Sequence, residues 1–365
     1  MALDKKSDRT LDKTSDQISN KVLGEISAQP SDNISDNSSG TSSGIIGLDI
    51  GGANTKLASA DGTLTELHYL PLWKNTELPR VLGELASRLQ PEKLAVVMTG
   101  ELADCFEDKT EGIRFIMENV EEAFGKEKVS YINSKGHFFK TGDSLRSLAA
   151  ANWAASARLI GAEFGDCLFV DVGSTTSDLI PILGGEPRAG LSDFSRLLRK
   201  ELLYAGTLRT NLAALLEQVE FKAGSCCPSS ELFATTADVY LLLGDISKEQ
   251  FSCETADGAG KSRSEAMRRL ARVVCADLSE ISESEILELA RQAKEKQITK
   301  LENAISEVAG RHGLTKVVSA GLGEFMIQEA AKRLGLECVS VAEYWGALRS
   351  KVFPAYAAAK LLEQE

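Results

Sequence analysis

Gly47-Leu48-Asp49-Ile50-Gly51-Gly52-Ala53-Asn54-Thr55-Lys56 carries an apolar run into a Gly turn, and Phe169-Val170-Asp171-Val172-Gly173-Ser174-Thr175-Thr176-Ser177-Asp178 repeats the pattern further along the chain. Each copy places an Asp at the end of a buried strand, then Gly, then small polar residues. In both, the turn leads into a second strand and not into a helix. Phosphates would therefore be gripped by hairpin N–H groups and hydroxyls rather than by a helix dipole. A single Gly-rich hairpin is explained as a tight turn. Two at equivalent points of a repeat point to facing turns that hold a phosphate chain and its Mg²⁺ between them.

Each residue type has a reason in that picture. Gly51, Gly52 and Gly173 let the backbone approach an anion with no Cβ in the way. Asn54, Thr55, Ser174, Thr175 and Thr176 offer side-chain hydrogen bonds to phosphate oxygens, and Lys56 adds a charge if it points inward. Asp49 and Asp171 alternate with buried Ile and Val, which places them on the opposite face of their strands. A carboxylate at the edge of a core is costly alone, and Mg²⁺ held by Asp49 and Asp171 relieves that cost.

Working outward, order is expected from Gly44. Strands are predicted at 45–50, 55–60, 63–70 and 93–98, and helices at 78–89 and over the face made by Ile113, Ile116, Met117, Val120 and Phe124, with Gly125 as a stop. The series restarts with strands at 167–172 and 178–183 around the second turn. Ala-rich helices at 148–157 and 355–360 are expected to cross at a hinge, because small side chains let backbones approach. A long helix is predicted over 285–309, opened by a Ser282/Glu285 capping box and closed by Gly310. A third turn, Ala320-Gly321-Leu322-Gly323, sits between a strand at 316–319 and a helix at 324–334, where Gly321 and Gly323 cover the far end of a ligand. Residues 1–43 are polar, with scattered apolar side chains, and are expected to be a disordered tail.

The bulk properties narrow the class. The chain has 365 residues and a formal net charge of −12, which argues against a nucleic-acid or anionic-membrane binder. Its seven Cys form no CxxC and its three His do not join them, so the thiols are read as reduced and the protein as cytoplasmic. No apolar run of about 18 residues marks a membrane span. No G-x-x-x-x-G-K-[ST] loop is present, and no G-x-G-x-x-G opens a helix after a first strand.

The three turns in this order, with Ala-rich helices after the first half and at the end, resemble the actin, sugar-kinase and Hsp70 ATPase (ASKHA) superfamily. Residues 171–178 are similar to its hydantoinase A/oxoprolinase branch, which carries a second Gly where this chain has Ser174. Closer still, residues 47–56 resemble the tetrahydromethanopterin-linked C1-transfer pathway proteins. So do Met98-Thr99-Gly100-Glu101-Leu102-Ala103-Asp104, Tyr204-Ala205-Gly206-Thr207-Leu208-Arg209-Thr210, Phe233-Ala234-Thr235-Thr236-Ala237-Asp238-Val239-Tyr240, and residues 268–277. The resemblance implies an α/β fold of two related RNase H-like lobes around a central cleft. The first lobe would be 44–158, with a helix at 351–365 returning to it, and the second 159–350.

The resemblance also implies an activity, the methanofuran-pathway condensation. γ-Glutamyltyramine is joined to an aminomethyl-furan-methanol diphosphate, forming an aryl ether and releasing diphosphate. The expected partners are thus small molecules bearing a phenol and a diphosphate, with homo-oligomerisation left open. Mg²⁺ positioned by Asp49 and Asp171 would neutralise the leaving group. Glu101 and Asp104 are the candidate bases for the phenol, and Arg209 would bind the glutamyl carboxylate or the diphosphate. The same loops suit an ATP-dependent kinase or amidohydrolase with Gly321 and Gly323 beside adenine, or a nucleotide-gated regulatory protein. The favoured reading does not require ATP.

Overall fold

The computed structural model describes residues 44–73 and 77–365, so the expected tail at 1–43 lies outside the described residues. Along the chain run β1 (Ile45–Gly51), β2 (Asn54–Ser59), β3 (Thr65–Tyr69), α1 (Leu78–Leu89), β4 (Lys93–Thr99), α2 (Lys109–Phe124), β5 (Val129–Tyr131) and α3 (Asn152–Phe164). There follow β6 (Cys167–Val172), β7 (Ser177–Leu183), β8 (Glu186–Pro187), α4 (Asp193–Leu198), β9 (Leu202–Leu203), α5 (Leu212–Leu215), β10 (Val219–Phe221) and β11 (Gly224–Cys226). The chain closes with α6 (Thr236–Leu243), α7 (Arg263–Val273), α8 (Glu283–His312), β12 (Lys316–Ala320), α9 (Glu324–Leu334), β13 (Glu337–Ser340), α10 (Val341–Trp345), α11 (Ala347–Lys351) and α12 (Phe353–Glu363).

The internal repeat is a repeat of topology. The first sheet has the order β3-β2-β1-β4-β5 and the second β8-β7-β6-β12-β13, with β9 added beside β7. In each, three antiparallel strands joined by tight turns are followed by two parallel ones. β6 thus stands for β1, β7 for β2 and β12 for β4. The two α/β halves are thus related in strand order and register, as expected of two related lobes. Their outer faces are covered separately: Leu48 and Ile50 pack with Leu82, Ile113 and Ile116 of α1 and α2, while Val170 and Val172 pack with residues of α8 and α9.

The inner faces share one core. Ala95 and Val97 of the first sheet, Phe169 and Ile180 of the second, and the small side chains of α3 and α12 form a single cluster. The two Ala-rich helices pack on one another, and α12 lies along β1, β2 and β4. Ala355, Ala358 and Ala359 are all fully buried there, and only such short side chains allow this approach.

Element ends differ from expectation where backbone geometry overrides periodicity. α3 starts at Asn152, not 148, because residues 145–148 form a 3₁₀ turn and Ala151 N–H is drawn to Met98 O at 3.2 Å. α8 opens on the Ser282/Glu285 capping box but runs through Gly310 to His312, stopping at Gly313 in the left-handed conformation. β3 is shorter than 63–70 because Thr63 folds back on Asp61 through its N–H and hydroxyl.

Candidate active site

Register puts the two central carboxylates in equivalent places. Asp49 on β1 faces Lys56 on β2, and Asp171 on β6 faces Asp178 on β7. Alternation does the rest. Ile46, Leu48 and Ile50 enter the outer core of the first sheet, so Asp49 lies on the inner face. Leu168, Val170 and Val172 enter the outer core of the second, and Cys167 and Phe169 the shared one, so Asp171 also lies on the inner side. Asn54 and Lys56 share the face of Asp49. Thr55 does not: it sits level with Ile50 on the outer face, with its hydroxyl buried and unpartnered.

Lys56 ties the two turns together. Its Nζ donates to Asp49 Oδ2 at 3.2 Å. Burial lowers its pKa, but Asp49, Asp171 and Asp178 together outweigh burial and hold the ammonium above its ordinary value. Asp171 is half-buried. Burial, reinforced by Asp178, Asp49 and Glu324 against the pull of Lys56, pushes its carboxyl up to about 7. The site thus holds more negative charge than its own cations neutralise.

The donor set fits a hard cation. Asp49 Oδ1 and Asn54 Oδ1 are buried with no hydrogen-bond partner, and with Asp171 they supply only oxygen ligands, as Mg²⁺ requires. Among the described residues no group of three or more His, Cys, Asp or Glu is arranged to hold a metal. Asp49, Asp171 and Asn54 could contribute two carboxylates and an amide oxygen to such a shell, with water and substrate oxygens completing it. Both turns have room for an anion. A Cβ at Gly52 would meet nothing within 4 Å, and one at Gly173 would meet only Thr176 O at 3.7 Å.

The third turn closes over the second carboxylate. β4 runs two residues past the level of Asp49, whereas β12 ends level with Asp171 at Ala320. The chain then turns at Gly321, with φ +90°, where a Cβ would lie 2.2 Å from Asp171 Oδ1. Only glycine fits there. Gly323 N–H then bonds to Val172 O at 2.9 Å, so Gly321 and Gly323 both border the second turn.

A chain of ion pairs runs from the first half to the second, crossing at Lys109–Asp193. Lys109 Nζ lies 3.6 Å from Glu101 Oε1 and 3.3 Å from Asp193 Oδ2. Arg196 then links Asp193, at 2.7 Å, to Asp178, and its guanidinium stacks 4.8 Å from the centroid of Trp153. Glu101 is 1% exposed with Oε2 unpartnered; burial pushes its pKa up, with Lys109 opposing. Asp104 is exposed on the following turn, and among the described residues nothing joins it to the other candidates. Arg209 is exposed with its guanidinium 4.8 Å over the ring of Trp73, while its N–H bonds to Ser174 O beside the second turn.

Several of these residues escape a reading of the sequence. Asp178 stands in the quoted motif, seven residues after Asp171 as Lys56 is after Asp49, and that spacing was its signal. Lys109, Asp193, Arg196 and Trp73 carry no local signal, because each matters through a partner on a distant segment.

The chain matches the hydantoinase/oxoprolinase family over residues 92–365. It is 37% identical over 329 residues to the (4-{4-[2-(gamma-L-glutamylamino)ethyl]phenoxymethyl}furan-2-yl)methanamine synthase of Methanocaldococcus jannaschii, covering 88% of this chain and 98% of that one. It is 34% identical over 204 residues to the synthase of the same name from Methanococcus vannielii, covering 55% of this chain and 92% of that one. Among solved structures it is similar to a ROK hexokinase from Thermus thermophilus, at 16% identity and a TM-score of 0.42, covering 88% of this chain and 99% of that one. No described helix is long and apolar enough to cross a membrane.

Proposed function

The chain belongs to the hydantoinase/oxoprolinase family, and from that premise we propose that it is a transferase of methanofuran biosynthesis. It condenses γ-glutamyltyramine with (5-(aminomethyl)furan-3-yl)methyl diphosphate, forms an aryl ether and releases diphosphate. The observation that carries this reading is the 37% identity to the Methanocaldococcus jannaschii synthase, spread over 98% of that enzyme. The name of that relative describes the aryl ether product itself.

The chemistry asks three things of the protein. The furan CH₂–O bond breaks and its electron pair leaves with diphosphate. The phenol oxygen forms the new bond to that CH₂. The phenol proton goes to a base. Asp49, Asp171 and Asn54 would hold Mg²⁺, which would supply positive charge to the departing diphosphate. Lys56, bonded to Asp49 and within the field of Asp171, is a fixed cation at the site, and the two turns would present N–H and hydroxyl donors to the leaving group. Glu101, with its raised pKa, is better matched than an ordinary carboxylate to take the phenol proton. Arg209, with no carboxylate partner among the described residues, is free to bind the glutamyl carboxylate or the diphosphate.

We place the enzyme in the cytoplasm, where thiols stay reduced, in keeping with seven free cysteines. The test is to mix purified protein with both substrates and Mg²⁺ in the absence of ATP and to follow ether and diphosphate by mass spectrometry. Equimolar ether and diphosphate are expected. Turnover that appears only with ATP, with phosphate or ADP as product, would replace this reading by an ATP-driven one.

A further inference from the structure

The second turn is held in shape by a strap, residues 206–209. Thr207 N–H donates to Gly173 O at 2.9 Å, and Leu208 and Arg209 N–H both donate to Ser174 O at 3.0 Å. Two successive carbonyls of the turn are therefore pulled to the side of residues 206–209. A trans peptide is planar, with its C=O and N–H antiparallel. The N–H groups of Ser174 and Thr175 consequently point away from the strap, as successive donors of an anion-binding nest.

The strap is itself anchored from the core. Gly206 O accepts from Thr210 Oγ1, Thr236 Oγ1 and Gln297 Nε2, each at 3.0 Å. Gln297 lies in the middle of α8, only 4% exposed, and its Oε1 accepts from the hydroxyl of the fully buried Tyr240 at 2.7 Å. A polar pair this deep in a helical core is costly unless every bond is made. Here the bonds end on one backbone carbonyl, that of the very peptide whose N–H, on Thr207, bonds to Gly173 O. Gly206 also admits no side chain: a Cβ would sit 2.5 Å from the backbone N and C of Thr175. The strap thus touches the turn by direct packing as well as by hydrogen bonds.

We propose that Gln297 and Gly206 are positioning residues for the anion site, acting through the 206–209 strap to aim the Ser174 and Thr175 N–H groups at the diphosphate. The identity of the anion rests on the function proposed above; the positioning of the turn does not. Tyr240 fixes the amide of Gln297 so that Nε2, not Oε1, faces Gly206. Neither Gln297 nor Tyr240 touches the reacting atoms.

The experiment compares Gln297→Ala, Gln297→Glu and Gly206→Ala with Ile305→Ala, a fully buried change two turns along the same helix that leaves the strap's bonds intact. Two readouts are taken on the full chain: amide hydrogen exchange of peptides covering 172–177, and calorimetric binding of inorganic diphosphate with Mg²⁺. The strap variants are expected to exchange about tenfold faster in the turn and to bind diphosphate about tenfold more weakly, the loss of one or two buried hydrogen bonds. Ile305→Ala should move neither readout however much it lowers the melting temperature. Turn exchange no faster in the strap variants than in Ile305→Ala overturns the proposal. Faster exchange in a protein whose wild type binds no diphosphate supports the positioning and defeats the diphosphate reading instead.

Discussion

The two hairpins share a topology and differ in charge. Around the first turn Asp49 faces Lys56; around the second Asp171 faces Asp178. The first hairpin therefore carries its own counter-charge and the second carries two carboxylates. Arg196 takes up Asp178, which leaves Asp171 to the field of Lys56 from the other lobe. The lesson is that the repeat conserves strand order and register while dividing the electrostatic work. The second lobe supplies excess negative charge, and the first supplies the cation that moderates it. Neither hairpin balances the charge of the other's carboxylates alone.

The difference can be broken most severely at the carboxylates. Asp49→Asn and Asp171→Asn are each expected to cut ether formation by about 10²–10³, the usual cost of losing a preorganised electrostatic contact. Their stabilities should diverge. Asp171→Asn removes one of several crowded like charges and should leave the melting temperature unchanged or higher, whereas Asp49→Asn strips Lys56 of its partner and should lower it. Steady-state rates and thermal melts of the same preparations check both halves. Equal destabilisation by the two would remove the asymmetry.

Next comes the private neutralisation of the second hairpin. Arg196 is 3% exposed and bridges Asp178 and Asp193. Arg196→Met should destabilise the fold by about 3 kcal/mol, since it abandons buried charge. Adding Asp178→Asn should restore much of that. Denaturant titrations of the single and double variants give the coupling directly. A strictly additive double variant would show that Arg196 acts by packing on Trp153 and not by charge.

A smaller effect is expected where the lobes meet at the surface. Lys109 is 28% exposed on its side chain and lies between Glu101 and Asp193. Lys109→Ala should cost at most about 1 kcal/mol and less at high salt, but should raise the pKa of Glu101 further and shift the pH–rate profile upward. A stability loss that ignores salt would assign Lys109 a packing role.

The mildest test concerns the outer strand of the first sheet. Burial pushes Glu66 up, but hydrogen bonds from His68 and Arg88 outweigh it and bring its pKa to about 2. A carboxyl whose folded pKa lies below its unfolded one adds stability that is fully present above the unfolded value. That stability fades as pH falls from about 4.5 towards 2. Glu66→Gln should remove this pH dependence, lowering the melting temperature slightly at pH 7 and converging on the parent protein near pH 2, with the pair's partial exposure keeping the effect to a fraction of a kcal/mol.

Much of this was legible in the sequence. The turns after Asp49 and Asp171, helix α1, the stop of α2 at Gly125 and the strand–turn–helix around Gly321 follow from alternation, glycine placement and capping. These signals are local, and so were the errors. Gly310 and Gly313 are both plausible stops for α8, and the difference lies in which one reaches the left-handed conformation. What sequence did not reveal is pairing at a distance. Periodicity says which face Asp171 occupies, but not that Gly321 will close over it. Nor does it say that Thr207 will cap Gly173, or that Lys109 will reach Asp193 across 84 positions. Thr55 shows the converse: its type suits a phosphate ligand, yet its register turns it to the outer face.

The central claim is that both turns close on a single metal-bound polyanion. A crystal structure of the protein with Mg²⁺ and inorganic diphosphate tests it most directly. The account predicts one diphosphate between the turns, its metal shared by Asp49 and Asp171 and its oxygens met by N–H groups of Ser174 and Thr175. Diphosphate seated on one turn alone, or away from both carboxylates, would contradict it.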